Sequence, residues 1–502
     1  WFQIIREDLP RENSVTESTA VLAQAAHRIR SYWNVASSTS LSTDDNIAYS
    51  RWEKTFRAIC KDLKVIDIAQ FFDNHFPSRN RLDPFTAYGF FRPPPAVKHW
   101  LKDIHVEETQ FDGAREIIQK GSWIRQMFEE GARLKALHGA ENVFDFSLGN
   151  PILEPPQEVH IELLNLLNNP QSGMHRYMPN AGFPETCEYV AGIMRHETGY
   201  PFESEDVVMC VGAGGGLNVV FKALLEPGDE VLTLAPFFVE YAAYARNHGG
   251  LLTTASTTSE FQPDLSSVEE KMNEKTKIVL INSPNNPTGA VYSQQTLDAM
   301  GQLLFAKEKE FGHPIYLVSD DIYRYLVFDG LTNSNAFLSY KNSILVNSHS
   351  KDLGLPGERI GYIAVHPEVS ERQELREALV FCNRILGFVN APAMMQKVLP
   401  RLGNARVDVL VYQKLRDKFL SMLKDLGFEA VKPQGAFYIF PKSPDPDDVS
   451  FVKRAQQENI LLVPGSGFGG PGHFRISLCC DPDTIDNSRP GFEHLAEFYG
   501  LK

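Results

Sequence analysis

Between about residues 185 and 385, short β-branched and apolar runs alternate with stretches whose apolar positions recur at helical spacing. The runs at 277–282, 315–319, 343–347 and 360–365 each have the length of one buried strand. Continuously apolar strands separated by helices predict a mainly parallel sheet with helices on both faces. After about Asn390 the pattern changes. A helix candidate at 407–426 precedes an apolar run at 436–440, a further helical stretch and a run at 474–479, which predicts a smaller α+β unit. Residues 1 to about 108 differ again: 19–33 and 48–72 look helical, and polar 37–45 and Pro93-Pro94-Pro95 interrupt them. The expected fold class is α/β. The expected divisions are a helical extension of unknown role at 1–108, an arm with part of the small domain at 109–184, a large domain at 185–390 and a C-terminal small domain at 391–502.

A length of 502 residues agrees with two to four domains at roughly 100–200 residues each. No run approaches the ~18 apolar residues of a membrane span, and no basic-then-apolar signal segment opens the chain. The chain starts at Trp1 rather than Met, which leaves its true N-terminus open. A formal net charge of -14 argues against nucleic acid and anionic membranes as partners, because both reward positive charge. Six cysteines, Cys60, Cys187, Cys210, Cys382, Cys479 and Cys480, form no CxxC pair, and no metal site is expected. They read as free thiols of a cytoplasmic protein.

The sharpest chemical signal is the segment from Ser348 through His349, Ser350, Lys351, Asp352 and Leu353 to Gly354, Pro356, Gly357, Arg359 and Gly361, which follows an apparent strand. A lysine just past a buried strand, flanked by hydroxyls, suits a Schiff base to an aldehyde cofactor. Arg359 can offset a phosphate dianion and Ser348 can hydrogen-bond it. Asp320 ends the run 315–319, and a carboxylate there can pair with a protonated pyridine nitrogen. Tyr323, three residues on, can bond the ring oxygen. The segment Ser283-Pro284-Asn285-Asn286-Pro287-Thr288-Gly289 also follows a strand, and its turn can aim the Asn286 amide. Glycines at 212 and 214–216 open a helix and let backbone N–H groups approach a phosphate. Phe237, Phe238 and Tyr241 supply aromatics, one of which can stack on a cofactor ring. Read singly, each has an ordinary alternative: a surface lysine, an N-cap aspartate, a turn, core aromatics.

Taken together and in this order, the segments resemble the fold-type I pyridoxal phosphate enzymes of the class I/II aminotransferase family, over about residues 115–502. The resemblance implies a pyridoxal 5'-phosphate cofactor bound in the large domain. Lys351 matches the Schiff-base lysine and proton shuttle, Asp320 the pyridinium partner, Tyr323 and Asn286 the bonds to the ring oxygen, and Phe238 the stacking aromatic. Ala213, Gly214, Ser348, Ser350 and Arg359 match the phosphate cup. Tyr177 looks like the tyrosine lent to the neighbouring subunit's phosphate, which implies a homodimer. Arg475 and Gly149 match the groups beside the substrate carboxylate, with Asn286 also facing substrate.

The implied reaction moves an amino group between an L-amino acid and a 2-oxo acid, with Lys351 taking the Cα proton. The lysine segment is also similar to that of 1-aminocyclopropane-1-carboxylate synthases, so γ-elimination or replacement on S-adenosylmethionine is the alternative. A DNA-binding regulator with an aminotransferase-like sensor is disfavoured, because residues 1–110 carry fourteen Lys and Arg against fourteen Asp and Glu. Two features depart from the family. Many members have a hydroxyl residue where Gly214 stands, so this cup is expected to use backbone N–H alone. Residues 1–108 have no counterpart in a typical member; they read as an accessory domain, or as a cover for the active-site mouth. Arg384 falls one position from where aspartate-type members place an arginine, so the donor is expected not to be strongly dicarboxylic.

Overall fold

The computed structural model describes residues 123–502. The expectations for residues 1–108, and Cys60 with them, lie outside the described residues. The strands are β1 (Phe144–Asp145), β2 (Val207–Cys210), β3 (Glu230–Leu234), β4 (Leu251–Ala255), β5 (Thr276–Asn282), β6 (Tyr316–Asp320), β7 (Ser343–Ser348) and β8 (Gly361–Val365). After these come β9 (Tyr438–Ile439), β10 (Ile460–Leu461), β11 (Val463–Pro464) and β12 (Phe474–Ser477).

Seven strands form the large sheet in the order β2-β8-β7-β6-β5-β3-β4. β8 runs antiparallel to both of its neighbours, and the other pairs are parallel. Every residue of β2, β6, β7 and β8 is buried. The two-residue period of a strand explains why these runs lack polar alternation. Ile278 and Leu280 of β5 enter one apolar cluster with the helix Gly212–Leu224, while Val279 and Ile281 enter another on the opposite face. Both faces are covered, so both sets of side chains are apolar.

The expected runs fall close to the strands found, with edges shifted by a residue. The helix expected at 407–426 is Val409–Asp425, opened by the Asp408 side chain, which accepts from the Leu410 N–H. The apolar runs at 436–440 and 474–479 give only β9 and β12, which join β11 in a three-stranded antiparallel sheet. β1 pairs in parallel with β10, so chain from before the large sheet meets chain from after it. Among the described residues, no helix is long and apolar enough to cross a membrane. Cys187, Cys210, Cys382 and Cys480 are buried free thiols, and Cys479 is a half-buried one.

The parallel strands place their carboxyl ends along one edge. β5 ends at Asn282, β6 at Asp320 and β7 at Ser348, while β2 leads into the helix that starts at Gly212. In open α/β sheets this edge is where ligands bind. Gly361 opens β8 beneath that edge, where a side-chain Cβ would collide with the Asn347 carbonyl oxygen and stand 3.1 Å from Gly212 Cα. Both obstacles are backbone and cannot swing aside. Gly361→Ala is expected to cost about 1–3 kcal/mol through overpacking. A urea midpoint unchanged from wild type would contradict this packing.

Candidate active site

Lys351 sits in a one-turn helix, His349–Asp352, directly after the buried β7. The Ser348 hydroxyl caps it by accepting from the Ser350 N–H. Asp352 is held by His349 Nδ1 at 3.1 Å and by Arg406 Nε at 3.5 Å. These bonds fix the turn, and the lysine Nζ donates to the Gly149 carbonyl oxygen at 3.2 Å. Aromatic rings flank the amine: Phe437 at 5.1 Å and Tyr323 at 6.0 Å. Burial lowers the Lys351 pKa to about 8; Arg359 and Arg475 add to the fall, and Cys479 and Asp320 oppose it.

Asp320 is 3% exposed. Its Oδ2 accepts from the Tyr241 hydroxyl at 2.6 Å, but its buried Oδ1 has no hydrogen-bond partner among the described residues. Burial raises its pKa to about 7, the Tyr241 bond pulls it back down, and neighbouring Asp321 raises it further. Asn282 holds the end of β6 through its Nδ2, which donates to the Asp320 carbonyl oxygen at 2.8 Å. The same side chain accepts from the Asn286 N–H at 2.8 Å through Oδ1. One asparagine therefore ties the aspartate strand to the Asn285-Asn286 turn.

Arg475 lies on β12 and is buried. Its Nη1 donates to Asn286 Oδ1 at 3.1 Å and its Nη2 to the Ser147 carbonyl oxygen at 2.6 Å. The guanidinium also lies over the rings of Tyr438 at 4.5 Å and Phe468 at 4.6 Å. Its buried Nε has no hydrogen-bond partner among the described residues. Burial lowers its pKa, neighbouring Tyr438, Tyr323, Cys479 and Glu240 oppose the fall, and its hydrogen bonds among the described residues go to an amide and a backbone carbonyl rather than to a carboxylate. A buried cation in this state is poised for an anionic ligand. Tyr323 donates its hydroxyl hydrogen to the Tyr438 hydroxyl at 3.2 Å. A Cβ at Gly149 would fall on that same Tyr438 hydroxyl, so the close approach demands glycine.

A second cluster faces the start of the helix Gly212–Leu224. Arg359 is exposed, and a Cβ at Gly212 would stand 2.8 Å from its Nη2. The Ser348 and Ser350 hydroxyl oxygens are 2.6 Å apart, and both residues are buried. Ala213 and Gly214 lie in the first turn, where unpaired backbone N–H groups and the helix dipole favour an anion. Phe238 is half-buried, with its ring 5.5 Å from that of Tyr241 and edge-on to it.

The structure thus links Lys351, Gly149, Tyr323, Arg475 and Asn286 to Asp320 through shared neighbours, and sets Phe238 beside Tyr241. Tyr177 stands apart, 89% exposed. Tyr438 and Ser147 carry no mark in the sequence; Tyr241 is marked there only as an aromatic, not as the donor to Asp320, and Asn282 has no role assigned to it. An asparagine ending an otherwise apolar strand is a signal that could have found Asn282; the tyrosines offer none, since aromatics also fill cores.

The fit to pyridoxal phosphate rests on the unpaired atoms. Asp320 Oδ1 lacks a cationic donor, Arg475 lacks an anion, and a helix N-terminus lies beside Arg359. The family described as aminotransferase class I and II matches residues 141–488. An amino transferase of known structure from Eubacterium rectale is 37% identical, has a TM-score of 0.76, and covers 78% of this chain and 100% of its own. The aspartate/prephenate aminotransferase of Thermus thermophilus is 32% identical over 360 residues, 70% of this chain and 90% of that protein. The aspartate aminotransferase of Thermotoga maritima is 32% identical over 383 residues, 75% of this chain and 96% of that protein. These relatives favour amino transfer over elimination or replacement on S-adenosylmethionine. The chain belongs to the class I and II aminotransferase family and is a pyridoxal phosphate-dependent aminotransferase.

Proposed function

We propose that Lys351 carries the cofactor. In this reading Asp320, Tyr323, Asn286 and Phe238 surround its ring, and Ala213, Gly214, Ser348, Ser350 and Arg359 surround its phosphate. Arg475, with Gly149 and Asn286, receives the substrate carboxylate. The observation that carries the reading is a pair of incompletely bonded groups: a half-buried lysine whose pKa is lowered to about 8 and a buried aspartate with one oxygen unpaired. When bound, pyridoxal phosphate supplies an aldehyde that reacts with amines and a ring that accepts the electron pair left at the substrate Cα.

The chain's own residues do the rest. Lys351 Nζ, part neutral near pH 7–8, takes the proton from the substrate Cα and returns it. Asp320 Oδ1, buried without a partner among the described residues, would accept a hydrogen bond from a protonated ring nitrogen, whose positive charge would in turn favour the aspartate anion. Tyr323 would turn its hydroxyl hydrogen to the ring oxygen, with the Tyr438 hydroxyl 3.2 Å away to hold it in place. Arg475 is held in place by Ser147 and Asn286, so little ordering is left to be done when a carboxylate arrives.

The domain divisions are proposed on the same basis. Residues 109–184 contribute β1 and 391–502 contribute its partner β10, which supports one small domain built from both ends around the cofactor domain at 185–390. Residues 1–108 are proposed as an accessory region. A homodimer is proposed because Tyr177 is exposed, as a residue serving the neighbouring copy's phosphate would be. For the donor we propose a side chain without a second carboxylate. Arg384 is exposed on the helix Arg372–Ile385, and the acidic Glu240 lies close enough to feel the charge of Arg475.

Three outcomes are expected. First, Lys351→Ala loses the borohydride-fixed cofactor adduct. In the wild type, capture of pyridoxal phosphate by cofactor-free protein quickens with pH and levels off above about 8, because only the neutral amine attacks. An ordinary lysine would keep quickening to about 10.4. An adduct on another lysine, or a rate still climbing past pH 10, counts against the assignment. Second, sedimentation at micromolar concentration shows a dimer; an active monomer alone would end the Tyr177 reading. Third, in single-turnover reactions, aspartate and glutamate convert the cofactor no faster than neutral donors. A preference of tenfold or more for either acid (about 1.4 kcal/mol) reverses the donor proposal.

A further inference from the structure

The first turn of the helix Gly212–Leu224 contributes no side-chain donor: it reads Gly212, Ala213, Gly214, Gly215 and Gly216. The first polar side chain, Asn218, is already engaged. Its Nδ2 donates to the Gly214 carbonyl oxygen at 2.8 Å, and its Oδ1 lies 3.1 Å from His248 Nε2. Yet the space beside Gly214 holds a hydroxyl. A Cβ built on Gly214 would stand 3.0 Å from the Tyr244 hydroxyl oxygen and 3.7 Å from its Cζ.

Tyr244 lies on the helix Glu240–Asn247, three residues after the tyrosine that bonds Asp320. At that spacing two side chains share one face of a helix, so one element aims two hydroxyls at the same cleft. The Tyr241 hydroxyl is spent on Asp320, whereas the Tyr244 hydroxyl makes no hydrogen bond to protein among the described residues. The charged groups facing it are Glu240, Asp320 and Arg359. Burial and the two carboxylates hold its proton on, and Arg359 opposes them without prevailing. The phenol is therefore a donor at neutral pH.

We propose that Tyr244 donates a hydrogen bond to the cofactor phosphate at this helix terminus, supplying from a second helix the hydroxyl that Gly214 cannot carry. The Tyr244 hydroxyl is also what keeps position 214 a glycine. This inference rests on the proposed phosphate site beside Arg359. It replaces the expectation of a cup bonded at this position by backbone N–H alone.

The test compares binding of pyridoxal phosphate and of pyridoxal, which lacks the phosphate, by fluorescence titration of cofactor-free protein. Tyr244→Phe is expected to weaken pyridoxal phosphate about tenfold or more, the range of a hydrogen bond to a charged group, and to leave pyridoxal unchanged. Adding Gly214→Ser to Tyr244→Phe is expected to restore most of the loss, because the new Cβ meets only Cζ at an ordinary 3.7 Å. Equal loss for both ligands would place the hydroxyl on the ring side of the site and overturn the proposal, and so would no loss for either. Failure of the double variant to recover any affinity would also overturn it. Arg359→Ala separates the underlying reading from this one. If it too fails to distinguish the two ligands, the phosphate does not lie here; if it does distinguish them and Tyr244→Phe does not, only the tyrosine is excluded.

Discussion

Asp320 is taken out of water at the end of β6 with a donor for only one of its two oxygens. Burial favours its neutral form, and the bond from Tyr241, with lesser help from the Ile322 backbone and the Lys351 charge, does not fully offset that. Much of the surrounding structure serves to hold this carboxyl where it is. Asn282 pins the strand end from β5, Tyr241 grips Oδ2 from a helix on one side, and Tyr323 follows on the chain three residues later. A group held this firmly and bonded this incompletely is completed by a cationic donor from outside the chain. The same burial that raises the aspartate pKa lowers that of Lys351. The two groups are pushed toward neutrality together, in a cleft where a mobile proton is needed.

Arg475 adds a second constraint. It lies on the three-stranded sheet, yet its hydrogen bonds go to the Ser147 carbonyl after β1 and to Asn286 in the turn after β5. The guanidinium is in position only when the small sheets pack against the carboxyl edge of the large one. Lys351 spans the same seam, since its amine reaches the Gly149 carbonyl. Substrate binding and cofactor chemistry thus depend on one packing contact, and the buried Arg475 with the half-buried Lys351 along it makes an anion in the cleft favourable.

The alternation of apolar runs with helical stretches made the large sheet readable before any contact was known. Chain that is buried on both faces keeps polar residues to the ends of its runs, so 277–282, 343–347 and 360–365 stand out. The small sheets were harder to read. β1, β9, β10 and β11 have two residues each, too few to show a period. The β1–β10 pairing joins residues more than 300 positions apart, as Phe144 does with Ile460. At the site, Lys351, Asp320, Asn286 and Arg475 could be named because each belongs to a short segment whose residue types already suggest a task. The hydroxyl roles of Tyr241, Tyr438 and Tyr244 could not be read, since a tyrosine in an apolar stretch has the same appearance whether it fills core or aims a hydroxyl.

By itself, the sequence determined the strand–helix alternation, the family resemblance and the segments that carry the charged and amide groups. These are local properties, set by side-chain chemistry at fixed spacing. Only the tertiary structure decided which of those groups are satisfied and which are left open. Whether Asp320 Oδ1 has a donor, whether Lys351 is desolvated, and which hydroxyl stands beside Gly214 depend on chain brought from elsewhere. Hydrogen bonding and desolvation act over a few ångströms of space, and sequence separation does not measure that distance.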